Sequence, residues 1–592
     1  MMNFEIIIVF SVILFILIAL YKDIFKPAYA FLIAVVVLGI TGILSPHEMI
    51  HGFANEQIFV ILFLLFLGDI IRKTHVVEAV FDKIFKRATS YTGFLGRMTL
   101  LIATFSAFLN NTPLVAVMMP YVHSWSKKHN IAPSKLLIPL SYAAILGGCT
   151  TLIGTSTNLI VNGLLADQEI IHGLPTLEMF DFIYVGLPMM LVGFLYLLFF
   201  ANRLLPSNPD ILTEFNIKSR EYIVETLVQT GSELVGKSVG EAGLRNLQGL
   251  FLVEIIRDGK NIRPVSPKNS LRENDLLIFA GDTEKVAEMV NSNTGLVMPS
   301  IEKHKKTGDQ EILEIVVSHN SNLINKTAKS ADFRSEYDSS IIAIHRNGER
   351  ISGKIGQVLL KAGDVLLLLA GSDYSKHSNE THDFYPISKI KDLREFEWYK
   401  IAALLGGTFL AIFLSALKVV SLFKALLFLI VILSFMKIAT FKDVKKGFDY
   451  NLYIIIALAL ALGKAMINTG VADLVSDILI SVFLPLGNVG MLFGIYLITS
   501  IMAAYITYTA AVAIVFPISL TMALNLELNP TPFILIVAFA AAANFITPHG
   551  YQTNLMVYGS GGYNYKDFFR IGFPLTILYL IVTITILSLI YF

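Results

Sequence analysis

The sequence predicts an all-α membrane fold, written twice as an inverted repeat, with a soluble α/β tandem inserted between the copies. Three observations predict it. The 592 residues are 55% hydrophobic and only 15% charged, with a mean hydropathy of +0.66, whereas a soluble chain carries about 25% charged residues. The charge is also concentrated: residues 206–397 hold 24 of the 46 Lys and Arg and 28 of the 45 Asp and Glu. Finally, the two apolar flanks share residues in register. This composition argues against a soluble enzyme and a disordered chain, and a net charge of +1 argues against a nucleic-acid binder. The lone Cys149 excludes a disulfide scaffold and a cysteine-based zinc or iron–sulfur centre, and no enzyme cofactor is expected.

A spanning helix needs roughly 20 apolar residues. The first half offers spans at 4–20, 28–44, 57–73, 134–166 and 182–204, and the second at 399–416, 418–437, 451–467, 533–558 and 568–590. No Lys or Arg precedes residues 4–20 and no small-residue cleavage site follows them, so they read as a first span rather than a leader. The apolar stretches 94–124 and 487–523 are interrupted midway by Asn110-Asn111-Thr112-Pro113 and Thr507-Tyr508-Thr509. Each reads as a re-entrant hairpin, because bare backbone at membrane depth is tolerated only against protein or a water-filled cavity.

Basic residues set the orientation. With the N-terminus outside, the inner connections are Lys22–Lys26, Arg72–Arg87, Lys127–Lys135, Arg203 with the polar tandem, Lys437–Lys446 and Lys566–Arg570. Only Lys418, Lys424 and Lys464 fall on the outer connections, as the positive-inside rule requires. The first hairpin then opens inward, the second opens outward, and residues 206–397 are cytoplasmic.

The repeat rests on matched residues. Gly52-Phe53 pairs with Gly447-Phe448, and Gly68, Thr74, Val76, Val80 and Asp82 recur 395 residues on as Gly463, Thr469, Val471, Val475 and Asp477. Gly154-x-x-Thr157-Asn158-Leu159 recurs as Gly550-x-x-Thr553-Asn554-Leu555, and Asp181-Phe182 with Gly186 and Pro188 recurs as Asp567-Phe568 with Gly572 and Pro574. Five spans and a hairpin per unit place the second copy upside down, the architecture of many secondary transporters. The predicted units are a first membrane repeat (1–205), two soluble modules (206–300 and 301–397) and a second membrane repeat (398–592). The modules read as strands joined by Asp-Gly or Asn-Gly turns over Val224–Asp282 and again over Glu311–Ser372.

Four polar interruptions in apolar surroundings are where chemistry belongs: the two hairpin tips, Gly154–Asn158 and Gly550–Asn554. The last two break their spans, which predicts half-helices joined by unwound chain. The second arm of each hairpin starts at its tip, with Thr112 as the expected N-cap before Pro113, and Thr507 or Thr509 in the other. A helix N-terminus offers free N–H groups and about half a positive charge. An anion can therefore be held without Arg or Lys, and none of the four segments contains either. Unwound carbonyls suit a small hard cation such as Na⁺. The expected substrate contacts are Asn110, Asn111, Thr112, Thr155, Ser156, Thr157, Asn158, Thr507, Tyr508, Thr509, Thr553 and Asn554. His549, the one titratable side chain in these segments, is a candidate proton sensor or anion donor. Asp69 and Lys464 hold equivalent positions with opposite charge; both lie near helix ends, where snorkelling also accounts for them.

Together the four segments resemble the divalent anion:sodium symporter family, within the ion-transporter superfamily that includes dicarboxylate, citrate and sulfate carriers. The resemblance covers both membrane halves, about 400 residues. That family carries Ser-Asn-Thr at each tip, where this chain reads Asn110-Asn111-Thr112 and Thr507-Tyr508-Thr509. The resemblance implies a substrate between the tips, one Na⁺ near Ser106, Asn110, Asn111 and Gly154, and another near Thr507, Thr509 and Gly550. It also implies a homodimer and an elevator-like displacement. Asn110 in place of Ser keeps an acceptor. Tyr508 in place of Asn does not copy a carboxamide, and its bulk favours a compact anion such as sulfate over a C4 dicarboxylate. The tandem is similar to paired TrkA-C modules, which implies cytosolic regulation by a small ligand.

The expected function is Na⁺-driven import of a small divalent anion, sulfate or a dicarboxylate, across a prokaryotic inner membrane. Two other classes compete: a Na⁺/H⁺ antiporter using Asp69, and a cation channel gated by the modules. The filter string Thr-Val-Gly-Tyr-Gly is absent; the nearest is Tyr558-Gly559-Ser560-Gly561-Gly562. An ATP-driven pump lacks its Gly-x-x-x-x-Gly-Lys-Ser/Thr loop.

Overall fold

The computed structural model describes the chain except residues 1–3, 23, 74–83, 86–87, 169–173, 209–222, 245–246, 248–249, 259, 263–264, 282–294, 298–311, 320, 347–348, 352–354, 371–382, 388–397 and 440–449. Among the described residues, eight helical stretches are long and apolar enough to cross a membrane. The protein is therefore a multi-pass membrane protein. The first half runs α1 (Phe4–Tyr21), α2 (Pro27–Ile40), α3 (Pro46–His51), α4 (Glu56–Lys73), α5 (Tyr91–Ser106), α6 (Asn111–Lys128), α7 (Leu137–Gly148), α8 (Ser156–Asp167) and α9 (Ile183–Leu204).

The polar segment forms two five-stranded antiparallel sheets. The first holds β1 (Ile223–Val228), β2 (Leu250–Arg257), β3 (Lys260–Ile262), β4 (Leu276–Gly281) and β5 (Leu296–Val297) in the order β3-β2-β4-β1-β5. The second holds β6 (Ile312–Val317), the short helix α10 (Phe333–Tyr337), β7 (Ser339–Arg346), β8 (Glu349–Arg350), β9 (Val365–Ala370) and β10 (Phe384–Pro386), in the order β10-β6-β9-β7-β8. Read from the other edge, that is the same topology. The bulge at Leu252/Glu254 on β2 returns at Ile341/Ala343 on β7.

The same buried ion pair fixes both modules. Arg257 is bidentate on Asp275 and donates to the Ser270 carbonyl; Arg346 is bidentate on Asp364 (2.7 Å for both bonds) and donates to the Leu359 carbonyl. Each carboxylate holds its guanidinium's pKa above the ordinary arginine value. Asp364 is 1% exposed, so Arg346→Met would strand a buried charge at a cost of about 3 kcal/mol. Hydrogen exchange on the full chain should then find β7 and β9 deprotected and β2 and β4 unchanged.

The second half runs α11 (Trp398–Ala416), α12 (Leu422–Phe435), α13 (Tyr450–Asn468), α14 (Val471–Phe483), α15 (Gly487–Tyr505), α16 (Tyr508–Asn525), α17 (Pro530–Ala542), α18 (Gln552–Ser560) and α19 (Tyr565–Tyr591). Two of the predicted spans, 28–44 and 418–437, are shorter than expected. At 1.5 Å per residue, the 14 residues of α2 and of α12 reach only about 21 Å. Positive-φ residues follow their ends, Gly42 and Lys437. The expected connection after Lys464 is instead largely helical. α14 starts after Gly470 (φ 75) and buries Val471, Ala472, Ser476 and Leu479 while exposing Leu474, Ile478 and Val482. Its matched stretch Thr74–Asp82 lies outside the described residues, as does Gly447-Phe448.

The predicted spans 134–166 and 533–558 are broken as the sequence suggests, into α7 with α8 and α17 with α18. The matched glycines explain part of the pattern. A Cβ on Gly186 of α9 would strike the Cys149 carbonyl at the first break, and one on Gly572 of α19 would strike the Phe545 carbonyl at the second. The matched aspartates each accept from an N–H three residues back: Asp181 from Glu178 (2.7 Å), closing the turn before α9, and Asp567 from Asn564 (2.9 Å), in the capping box of α19. α16 and α17 are almost wholly buried, whereas α1, α11 and α19 expose rows of Leu, Ile and Phe.

Candidate functional site

At the first tip, α5 ends at Ser106 and α6 begins at Asn111. The N-cap is Asn110, not Thr112 as expected: its side chain accepts from the Thr112 N–H at 3.1 Å. A carboxamide reaches an N–H two residues on as an Asx turn, which leaves the Thr112 hydroxyl free for other work. At the second tip Thr507 is the N-cap, accepting from the Ala510 N–H at 3.2 Å, and its hydroxyl lies 3.0 Å from that of Thr509.

The unwound segments are strapped by their asparagines. Asn158 donates to the Thr151 carbonyl (2.8 Å), and Asn554 to the carbonyls of Thr547 (3.3 Å) and Asn544 (2.7 Å). In each break the amide reaches seven residues back. Thr553 and Asn554 also meet the Ser141 hydroxyl of α7, at 2.8 and 2.7 Å. Thr157, Asn158, Thr553 and Asn554 are all fully buried. Asn158 and Asn554 hold the breaks together, and Thr553 and Asn554 face α7.

The two halves meet through crossed contacts between each tip and the other half's break. The Asn111 amide donates to the Tyr551 hydroxyl (2.8 Å), which is also 2.8 Å from the Thr155 hydroxyl. Thr112 donates to Gln552 Oε1 (2.9 Å) and Ser156 to the Tyr508 hydroxyl (3.2 Å), while within the first break Thr157 donates to Thr155 (3.3 Å). The Tyr508 and Tyr551 rings lie 5.7 Å apart. Tyr551 and Gln552 fill the unspecified positions of Gly-x-x-Thr-Asn, so the motif gave no reason to select them. Their equivalence to Thr155-Ser156 was the available signal.

Beside this network lies a cluster of oxygens. The Ser106 hydroxyl donates to the Ala144 carbonyl (2.6 Å) and touches the Asn111 carboxamide. A Cβ on Gly154 would sit 2.8 Å from the Ser106 carbonyl, and one on Gly148 would sit 2.9 Å from the Asn111 carboxamide and 3.0 Å from the Gly154 carbonyl. Only glycine leaves room for these carbonyls to converge. With no cation present, the Asn111 amide is better satisfied turned over. Turned over, its nitrogen donates toward the carbonyls of Ala144 and Gly154 (both 3.2 Å) and its oxygen accepts from Tyr551. Uncharged oxygens in a buried cluster are the donor set of a small hard cation.

His549 is not part of this arrangement. It is exposed, stacked on Tyr565 (centroids 5.5 Å, 5° between planes), with Nδ1 2.7 Å from the Tyr565 hydroxyl. Asp69 is buried on α4; its neighbour Gly68 lines a cleft of about 20 Å³ with Asn110 and Pro113. Lys464 lines a separate cavity of about 560 Å³ with His47, Glu48 and His51.

A bundle of apolar helices whose broken helices and turned tips bury neutral hydroxyls, amides and carbonyls belongs to the class of secondary transporters. The citrate transporter family matches residues 12–487 and 408–592, and the chain belongs to that family, within the ion-transporter superfamily that also holds the divalent anion:sodium symporters. A Chlamydomonas reinhardtii protein named for regulation of the sulfur deprivation response is 33% identical, over 92% of this chain and 95% of its own. An uncharacterized transporter of Synechocystis is 30% identical over 99% and 96%. Sodium/sulfate cotransporter 1 of Chlamydomonas reinhardtii is 23% identical over 90% and 83%. The protein is a membrane transporter, not an enzyme.

Proposed function

We propose that the protein is a Na⁺-coupled symporter that imports a small divalent anion, with sulfate ahead of a C4 dicarboxylate, across a prokaryotic inner membrane. The observation that carries this reading is that each tip meets the other half's break through uncharged, buried or part-buried polar groups. Hydroxyls of Thr112, Thr155, Ser156, Thr509 and Tyr508 supply donors for an anion, and helix N-termini add partial positive charge. The first Na⁺ lies among Ser106, Asn111, Gly154 and the carbonyls beside them, with Asn110 capping the tip. A compact anion suits the room that Tyr508 and Tyr551 leave. The relatives named as sodium/sulfate cotransporters support the same choice of ion and substrate.

The remaining features belong to this proposal. The tips act as re-entrant hairpins of an inverted repeat, and the hairpin-bearing part moves as an elevator within a homodimer. The tandem is a cytosolic pair of TrkA-C-like modules that regulates transport by binding a small ligand. Its contacts favour such a role. The turn before β9 places the Gly363 carbonyl and Val365 against Gly559 of α18, and Asn208 donates to the carbonyls of Gly561 (3.1 Å) and Gly562 (2.6 Å). α18 also carries Thr553 and Asn554. If the second module restrains α18, Gly559→Val should lift that turn and raise basal sulfate uptake. Unchanged uptake by folded variant protein would argue against restraint.

Uptake of labelled sulfate and labelled succinate into proteoliposomes, with and without an inward Na⁺ gradient, tests the main reading. Na⁺-stimulated entry of one label supports it. A Na⁺/H⁺ antiporter is the second reading, favoured by the burial of Asp69. It predicts Na⁺ movement without either anion, lost in Asp69→Asn.

A further inference from the structure

We propose that Asn544 is a cation ligand that rebuilds, in the second half, the sodium site whose tip asparagine is replaced by Tyr508. The inference rests on the Na⁺-coupled reading above and assigns a residue which the tip and break motifs do not contain.

The two breaks differ in a reciprocal way. Gly148 stands six residues before Gly154, and Asn544 stands six residues before Gly550. In the first half the tip supplies the carboxamide, Asn111, and the break supplies a bare glycine. A Cβ on Gly148 would press on that carboxamide at 2.9 Å. In the second half the tip supplies Tyr508, whose hydroxyl is turned to Ser156. The break now supplies the carboxamide. The Asn544 side chain lies over Gly550, where a Cβ would collide with it. One amide thus sits in each oxygen cluster, delivered by opposite elements.

Its surroundings repeat as well. Asn544 Nδ2 donates to the Ala503 carbonyl (2.9 Å), and Ala503 stands five residues before Tyr508 as Ser106 stands before Asn111. Thr547 donates to Asn544 Oδ1 (3.2 Å) and reaches the Ala504 carbonyl (3.5 Å). Its counterpart Thr151 donates to the carbonyl of Ala107. The backbone of Asn544 is held by the Asn554 amide, and the residue is 4% exposed. The Asn544 carboxamide, the Thr547 hydroxyl and the carbonyls of Ala503 and Ala504 thus form one chain of contacts (2.9, 3.2 and 3.5 Å), and a cation there would require the amide to turn its oxygen toward Ala503. Oxygens brought together without a carboxylate suit a monovalent hard cation better than a divalent one. The departure at Tyr508 therefore relocates the ligand instead of abolishing the site.

The test is equilibrium dialysis of the purified full chain with radiolabelled Na⁺, beside Na⁺-dependent sulfate binding. Asn544→Ala should lose one of the two Na⁺ equivalents, and Asn544→Asp, which keeps an oxygen and adds charge, should retain both. The double variant Tyr508→Asn with Asn544→Gly copies the first half and should regain the equivalent lost in Asn544→Gly alone. That recovery separates ligand loss from misfolding. Full Na⁺ stoichiometry in Asn544→Ala, with one equivalent lost in Asn111→Ala, would overturn the assignment and leave the symporter reading intact. Absence of Na⁺ binding by the wild type would overturn both.

Discussion

Replacing Asn111 with alanine should abolish most Na⁺ stimulation of anion uptake while leaving the protein folded. The Asn111 carboxamide touches both the oxygen cluster around Ser106 and Gly154 and the Tyr551 hydroxyl of the other half. Removing an oxygen that faces a cation loses about 2 kcal/mol, the scale of a hydrogen bond to a charged group, or about thirtyfold in Na⁺ affinity. Ser106→Ala should act in the same direction but less, because the Ser106 and Ala144 carbonyls remain. Na⁺ activation curves at saturating sulfate would measure both. Wild-type Na⁺ dependence in both variants would mean that the first cation lies elsewhere.

The fold was legible in the sequence because its signals are chemical necessities. Charge cannot sit in hydrocarbon, so the concentration of Lys, Arg, Asp and Glu in 206–397 marked the segment that forms two sheets. Gly186 and Gly572 were legible as a repeat because each lies against backbone at a chain break, where any side chain collides. The interruptions at Asn110–Pro113 and Thr507–Thr509 were legible because unpaired backbone needs polar company. Three features escaped. α14 escaped because Lys464 and Asp477 look like loop residues, although a helix can present Asp477 at a water-facing end. Asn110 rather than Thr112 is the N-cap because the helix begins at Asn111, two residues earlier than Pro113 suggested. Tyr551, Gln552 and Asn544 escaped because a motif records what two copies share. These three residues matter where the copies differ, and only placement in space reveals what they meet.

Tyr551→Phe should separate the binding of Na⁺ from the binding of the anion without removing either. The Tyr551 hydroxyl sits between Asn111 and Thr155, 2.8 Å from each, and a hydroxyl has one proton to give. When the Asn111 oxygen faces a cation, its nitrogen must donate to Tyr551. Tyr551 then donates to Thr155, and the Thr155 proton is released toward whatever acceptor lies between the tips. When the amide is turned over, Tyr551 donates to Asn111 and accepts from Thr155, so that proton is withdrawn. Cation occupancy thereby presents a donor to the anion, and the anion favours the amide orientation that binds the cation. Such linkage is reciprocal, commonly about 5–150-fold in affinity. Phenylalanine keeps the buried ring and deletes the relay. Calorimetric titration of sulfate at low and saturating Na⁺, and of Na⁺ with and without sulfate, should find a large mutual factor in the wild type that falls toward unity in the variant. A mutual factor that survives in Tyr551→Phe would assign the coupling to another path, such as electrostatic attraction between the bound ions themselves.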